Sequence, residues 1–191
     1  MAKVGQSLDD GAQKMDFLDV AASTGGQLVR ARIRVQPGRP GPPEHSHPML
    51  EERFQVERGR MGYVLGTKRL EAKPGELVVV PQGTNHTFWN AGDDELCVVS
   101  EVRPALRFED FAETIHVLIR DGRLPAGGRR ANPLRLAVVA SAYRQEWRLT
   151  RLSRPAAAML PVLALVGRLA GYRSFYLADG ESNVSQAQPA I

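Results

Sequence analysis

The amino-acid sequence predicts a mainly β domain, a barrel or sandwich of short strands, followed by a carboxy-terminal extension of about three α-helices. Apolar residues alternate with arginines along residues 29–35, which is the two-residue period of a strand with one buried face. Turn-forming residues such as glycine and proline recur at short intervals before Pro104, a spacing typical of sandwiches and barrels rather than of βαβ units. Beyond Pro104 the apolar residues repeat with a helical period.

The β domain is expected to extend over residues 15–104. Residues 1–14 are polar and lack periodicity, so we expect a loose amino-terminal tail. Residues 179–191 are also polar, and we expect a second disordered tail there. The segment between the β domain and this second tail, residues 105–178, is predicted to be a helical extension. It should pack on the barrel or on a partner subunit, because its apolar faces must be buried.

The first predicted helix has apolar residues at i, i+3 and i+4 spacing between residues 108 and 119, and Gly122 supplies its end. Acidic residues occupy its first turn, where they favour the positive end of the helix dipole. His116 lies at the edge of the apolar face. We therefore expect this histidine to be exposed or partly packed.

Two further helices are predicted. One should begin with Asn132 as its N-cap and Pro133 at its first position, and run to about Leu149. The other is an apolar helix over residues 155–169, with a bend expected near Pro161.

Charge and composition limit the compartment and the partners. The longest apolar stretch is shorter than the ~20 residues that span a bilayer, and the amino terminus lacks an apolar run of signal-peptide length. We therefore expect a cytoplasmic protein with no stable membrane insertion. Residues 105–178 hold 12 arginines and five acidic side chains, which we interpret as a solvated helical surface. An acidic partner, a phospholipid surface or nucleic acid are the alternatives, and nucleic acid is not expected because one helix is almost wholly apolar.

Three of the four histidines lie in two short segments. His45 and His47 are two residues apart, so on a strand both side chains leave the same face. Glu52 follows in the same segment, and His86 comes directly after a tight turn that can bring a second strand across a barrel interior. Imidazole and carboxylate ligands together suit a borderline divalent metal.

The spacing around these residues has two regular parts. The first is H-x-H, four residues, E, six residues and G, formed by His45, His47, Glu52 and Gly59. The second is G, five residues, P-x-G, two residues, H, three residues and N, formed by Gly75, Pro81, Gly83, His86 and Asn90. Together they resemble the two sequence motifs of the cupin superfamily, over roughly residues 25–103. Only the glycine that opens the family's first motif is displaced, which concerns the entry loop and not the ligands.

The resemblance implies a double-stranded β-helix, the cupin jelly-roll barrel, enclosing one divalent metal ion. In this family two histidines, a glutamate and the later histidine hold the ion, so the implied ligands are His45, His47, Glu52 and His86. The metal is expected to be iron, manganese, nickel or zinc. Solvent or a small organic molecule is expected in the remaining coordination positions.

Two adjacent glutamates could supply the carboxylate ligand, and the register of their strand decides between them. Glu51 also fits the family's loose spacing, but only Glu52 has six residues before Gly59. Neighbours on a strand point to opposite faces, so one of the two can reach the metal. The apolar side chains expected to share the ligands' interior faces, and so to line the substrate pocket, are Phe54, Val56 and Phe88.

Three functions are compatible with these predictions. The first is a metal-dependent enzyme, with dioxygenase-like chemistry as the leading type, acting on a small organic molecule. The second is a non-catalytic small-molecule or metal-binding module, since the sequence offers no obvious acid or base inside the barrel beyond the ligands. The third is a ligand-sensing regulator. The apolar faces of the helical extension also favour a homodimer.

Overall fold

The computed structural model describes residues 2–39, 41–124, 131–150 and 153–178. Over these residues the chain forms eleven strands and three helices, which confirms the predicted fold class. The strands are β1 (Ser7–Asp9), β2 (Gln13–Asp19), β3 (Val29–Val35), β4 (His45–Ser46), β5 (Glu51–Arg58), β6 (Met61–Leu65), β7 (Lys68–Ala72), β8 (Leu77–Val80), β9 (His86–Asn90), β10 (Leu96–Arg103) and β11 (Arg148–Leu149). The helices are α1 (Phe108–Arg120), α2 (Pro133–Ala142) and α3 (Arg154–Leu169).

The described strands form two antiparallel sheets. One has the order β1-β2-β3-β10-β5-β8 and the other the order β11-β4-β9-β6-β7. Every second residue of β3 and β5 is buried, as the sequence period predicted, and these side chains fill the space between the sheets. Phe54 from the first sheet and Phe88 from the second have ring centroids 5.0 Å apart, so the two inner faces share one core.

The amino-terminal segment differs from its prediction. Within residues 1–14, expected to be a loose tail, β1 pairs with β2 in register from Ser7 opposite Asp16. Leu8 points inward and is 2% exposed. Two buried apolar residues six positions apart, Ala2 and Leu8, give no periodic signal, and the backbone pairing at the sheet edge orders the segment. The predicted tail over residues 179–191 lies outside the described residues.

The first and third helices agree with the sequence. Past the end of α1, Gly122 adopts a positive φ of 67°, and the next backbone N–H donates to the Leu118 carbonyl. α3 continues through Pro161, and the bend expected near this residue stays a prediction. It packs against α2 at Gly167, where a Cβ would lie 2.9 Å from the carbonyl oxygen of Leu134.

The second helix is shorter than predicted. Asn132 caps α2 as expected, its side chain accepting from the next two backbone N–H groups beyond Pro133. The helix ends at Ala142 and not near Leu149, so the predicted end is wrong. The chain instead turns, and β11 adds to the edge of β4 at the mouth of the barrel. Tertiary pairing with β4 outweighs the local helical preference there.

The helical extension packs partly on the barrel. Phe111 and Trp147 join the buried core that the strands form. α3 keeps an exposed apolar stripe of Met159, Val162, Leu165, Val166 and Leu169. Among the helices of the described segments, none combines the length and the apolar character needed to cross a membrane.

Candidate metal centre

Four potential ligands from both sheets meet inside the barrel. His45 on β4 and His86 on β9 are direct partners across one sheet, while Glu52 comes from β5 of the other. His47 lies just beyond β4, where its carbonyl accepts a hydrogen bond from the N–H of Gly83. The turn that the sequence placed before His86 therefore also fixes His47. One potential ligand atom from each of the four side chains lies within 4.8 Å of the other three, and all four residues are buried.

The separations inside this cluster fit a single metal ion. Oε2 of Glu52 lies 3.1 Å from Nε2 of His47 and 3.1 Å from Nε2 of His86. Two ligand atoms at right angles around an ion, each about 2.1 Å from it, are about 3.0 Å apart. The carboxylate oxygen and the two imidazole nitrogens thus already have the spacing of neighbouring ligands.

Backbone carbonyl groups fix the orientation of all three imidazoles. Each ring places its Nδ1 at hydrogen-bond distance from one carbonyl oxygen, which can only accept, so Nδ1 carries the proton. The pairs are His45 with Pro43 (2.8 Å), His47 with Glu146 (2.5 Å) and His86 with Thr84 (3.1 Å). In the neutral ring Nε2 then has a free lone pair, which is the form that binds a metal.

These tautomers leave the centre short of positive charge. In neutral His47 and His86 the Nε2 lone pair faces the Glu52 carboxylate, an acceptor facing an acceptor. A proton or a metal ion resolves this conflict. The pKa of His47 reflects this need for positive charge. Burial acts to lower the pKa, but the hydrogen bond and the charge of Glu52 outweigh burial and raise it. Burial similarly works to raise the pKa of Glu52, yet the hydrogen bonds and charges of the two histidines hold it below its usual range.

His45 behaves differently from His47. Burial, followed by the neighbouring imidazoles of His86 and His47, holds the pKa of His45 well below its usual range. This ring stays neutral and keeps its lone pair available. One carboxylate and three imidazoles form a donor set that suits iron, manganese, nickel or zinc.

The strand register separates the two adjacent glutamates. Glu52 points inward and is 5% exposed, and its Oε1 accepts a hydrogen bond of 2.8 Å from the hydroxyl of Ser100. Glu51 points outward, where its carboxylate pairs with Arg53 at 2.7 Å. Only Glu52 is therefore placed to ligate, and Ser100 holds the carboxylate in position.

A cavity of about 280 Å³ opens beside the cluster and is bordered by His45, His47 and Glu52. Its wall is mostly apolar. Phe88, one of the three residues predicted to line a pocket, borders the cavity. Phe54 and Val56 are each 1% exposed and lie in the core behind this wall.

The helical extension supplies cavity residues that the sequence analysis did not single out. Phe108 of α1 lies 5.8 Å from His47 between ring centroids, and Trp147 lies 6.1 Å from His45. The backbone of Glu146 orients His47. The apolar period of α1 was a signal for Phe108. Residues 146 and 147 had no such signal in the sequence, because their position depends on α2 ending at Ala142.

Sequence comparison finds a family match within the barrel. Residues 31–101 match the profile of the cupin domain. Oxidoreductase iacF of Pestalotiopsis fici is 38% identical over 61 residues, which are 31% of this chain and 30% of the relative. Probable oxidoreductase virH of Hypocrea virens is 36% identical over 69 residues, 36% of this chain and 32% of the relative. The match thus spans about a third of the length of each relative.

Solved structures resemble the barrel at low identity. KdgF from Halomonas sp. is 16% identical with a TM-score of 0.48, covering 55% of this chain and 90% of that protein. An uncharacterized conserved protein with a double-stranded β-helix domain from Klebsiella pneumoniae is 20% identical with a TM-score of 0.46, covering 56% and 90%. The oxalate decarboxylase of Lactobacillus farciminis is 20% identical with a TM-score of 0.47, covering 53% and 31%.

Proposed function

We propose that the domain matched by the cupin profile at residues 31–101 binds one divalent metal ion and, with dioxygen as the oxidant, oxidises a small organic anion. The observation that supports the metal is the approach of two imidazole Nε2 atoms to within 3.1 Å of the Glu52 carboxylate inside a buried cluster. A cation at this position pairs with every lone pair at once. His45 completes the set of four ligands.

Charge and cavity shape favour an anionic substrate with apolar bulk. Three neutral imidazoles and one carboxylate leave a divalent ion with a net charge of about +1, which attracts an enolate, catecholate or carboxylate. When bound, the ion supplies Lewis acidity and open coordination positions and, if it is iron or manganese, electron transfer. The apolar cavity beside it favours aliphatic or aromatic parts of a ligand. The names of the two curated relatives support an oxidoreductase.

The side chains around the centre have separate tasks in this proposal. Ser100 orients the carboxylate of Glu52 through its hydroxyl, and the carbonyl of Glu146 orients His47. Phe108 and Trp147 cover the histidines from the side of the helical extension and keep bulk water from them. Substrate positioning falls to the cavity wall, to which Phe88 contributes.

Nitric oxide, used as an oxygen surrogate, tests the proposal. The protein is reconstituted with Fe(II) without oxygen, and nitric oxide is added. An electron paramagnetic resonance signal from iron–nitrosyl shows an open coordination position, and its perturbation by a β-diketone or a catechol shows that an organic anion binds beside it. His47→Ala serves as the matched control, in which the signal should be lost. No nitrosyl signal in the wild type, together with no oxygen uptake with these compounds, would favour a non-catalytic binding module.

A homodimer through α3 is part of the same proposal. The apolar stripe of this helix is solvent-exposed in the single chain, with Leu169 at 81% and Leu165 at 57%. Its opposite side, at Gly167, already packs on α2, so the stripe is free to contact a second subunit.

A further inference from the structure

His116 is buried at the cavity wall, contrary to the expectation that it is exposed or partly packed. Its side chain is 6% exposed, and it borders the same cavity as the metal cluster. α1 also packs against β1, so more of its surface is buried than its apolar period suggested. The mechanism proposed above gives this histidine no task.

The hydrogen bonds of His116 define which nitrogen is available. Nδ1 lies 2.8 Å from the carbonyl oxygen of Ala112 in the preceding turn, so Nδ1 carries the proton and donates. Burial lowers the pKa of His116, although the bond to Ala112 and the carboxylates of Asp10 and Asp9 act in the opposite direction. The ring is therefore neutral, and Nε2 carries a lone pair.

That lone pair lacks a hydrogen-bond donor among the described residues. Nε2 of His116 is buried, and no residue in the described part of the chain donates a hydrogen bond to it. A buried acceptor without a donor costs free energy, and such groups are rare enough to call for an explanation. Nε2 itself has almost no surface open to the cavity, so a ligand that displaces the packing around the His116 ring can supply the missing donor.

The position of His116 along α1 sets the length of such a ligand. Phe108, at the start of α1, contacts His47 and so marks the metal end of the cavity. His116 comes eight residues later on the same helix, about 12 Å along its axis. Phe111, Ala112 and Ile115 form the apolar wall between the two ends.

We infer that His116 is a specificity-determining residue, whose Nε2 accepts a hydrogen bond from the end of an elongated ligand remote from the metal. The inference rests on the proposed metal function. The ligand class has three parts: a chelating pair of oxygens at the metal, an aromatic or aliphatic middle, and a hydroxyl or N–H donor at the remote end. Molecules that end in an acceptor, such as an ether or a carboxylate, are disfavoured because two acceptors would face each other.

Three catechols that differ only at the remote para position test the inference. One carries a para-hydroxyphenyl group, the second an unsubstituted phenyl group, and the third a para-methoxyphenyl group, which cannot donate. Their dissociation constants are measured by isothermal titration calorimetry on Zn(II)-loaded and metal-free protein, without oxygen. The hydroxyphenyl compound should bind Zn(II)-loaded wild type about fivefold more tightly than the phenyl compound, the equivalent of one net hydrogen bond. The methoxy compound should bind less tightly than either.

Two variants assign the preference to one side chain. His116→Phe keeps an aromatic ring but removes the acceptor, so the hydroxyphenyl and phenyl compounds should bind it equally. Arg120→Gln, at an exposed position on the same helix and outside the cavity lining, should keep the wild-type preference. Should His116→Phe fail to fold, the order of the three compounds on wild type still decides the question.

Nitrogen-15 NMR of the Zn(II)-loaded protein provides a readout that a structural role would not affect. The Nε2 resonance of His116 should move when the hydroxyphenyl compound binds and stay in place with the phenyl compound. Zn(II)-dependent binding of all three compounds with equal affinity, and no shift at His116, would overturn the inference and leave the metal centre intact. Binding that does not depend on Zn(II) would overturn the metal centre and the inference together.

Discussion

Glu52→Gln separates the role of the charge at the centre from the role of the fold. The substitution keeps the size of the side chain and removes the anion that lies 3.1 Å from two imidazole nitrogens. In the metal-free protein the glutamine amide can donate to one of these lone pairs, so the fold should be retained. Metal affinity should fall by at least about 100-fold, since losing even a group that merely supports a ligand costs 10- to 100-fold.

The effect is measurable as a change in melting temperature. At a metal concentration 100 times the dissociation constant, binding stabilises the wild type by about 2.7 kcal/mol. A chain of this length gains about 2–4 °C per kcal/mol, so the wild type should melt about 5–11 °C higher with metal than with a chelator. For Glu52→Gln at the same concentration the gain falls to about 0.4 kcal/mol, or 1–2 °C.

Glu51→Gln is the matched control for this experiment. Its side chain points outward and pairs with Arg53 at a partly exposed position, where an ion pair contributes little. The metal-dependent rise in melting temperature should therefore match the wild type. A loss of the rise in Glu51→Gln and its retention in Glu52→Gln would show that the strand register is wrong. Equal rises in all three proteins would refute the assignment of either glutamate.

Three further predictions follow from other contacts. Ser100→Ala removes the hydroxyl that orients the ligating carboxylate, so isothermal titration should show metal affinity reduced 10- to 100-fold, and the apo protein should lose about 1–3 kcal/mol of stability because the buried Glu52 oxygen loses its donor. Gly41→Ala places a Cβ on a backbone carbonyl of β9 and should lower the free energy of unfolding in urea by about 1–3 kcal/mol or more, whereas Gly92→Ala, which has room, should change it little. Leu165→Glu in the exposed stripe of α3 should give monomers in sedimentation equilibrium, and Ala157→Glu, off the stripe, should leave the dimer intact. A wild type that is already monomeric would contradict the dimer.

The barrel was predictable from sequence because its signals are local. The alternation along β3 and the turn residues indicate the strands directly, and Glu52 lies on β5, where the period predicts an inward side chain. The end of α2 was not predictable. The residues after Ala142, where the helix was predicted to continue, have helical propensity. Only pairing with β4, which is far away in sequence, places residues 148–149 in a strand.

The same limit applies to parts of the site. His116 has the spacing of an apolar helix position, but a single polar residue at the edge of such a face gives no indication of its burial. The carbonyl of Glu146 reaches His47 across 99 positions of sequence, and main-chain acceptors have no sequence signature. Family spacing identified the four potential ligands, while the groups that orient them required the structure.

Metal content tests the central claim of one divalent ion on four ligands most directly. Protein without a histidine tag is reconstituted separately with Fe(II), Mn(II), Ni(II) and Zn(II), freed of excess metal, and measured by inductively coupled plasma mass spectrometry. The wild type should retain close to one ion per chain with at least one of the metals, and His86→Ala should retain far less, because the remaining ligands bind more weakly. Wild-type protein that is as empty as His86→Ala with all four metals would contradict the account.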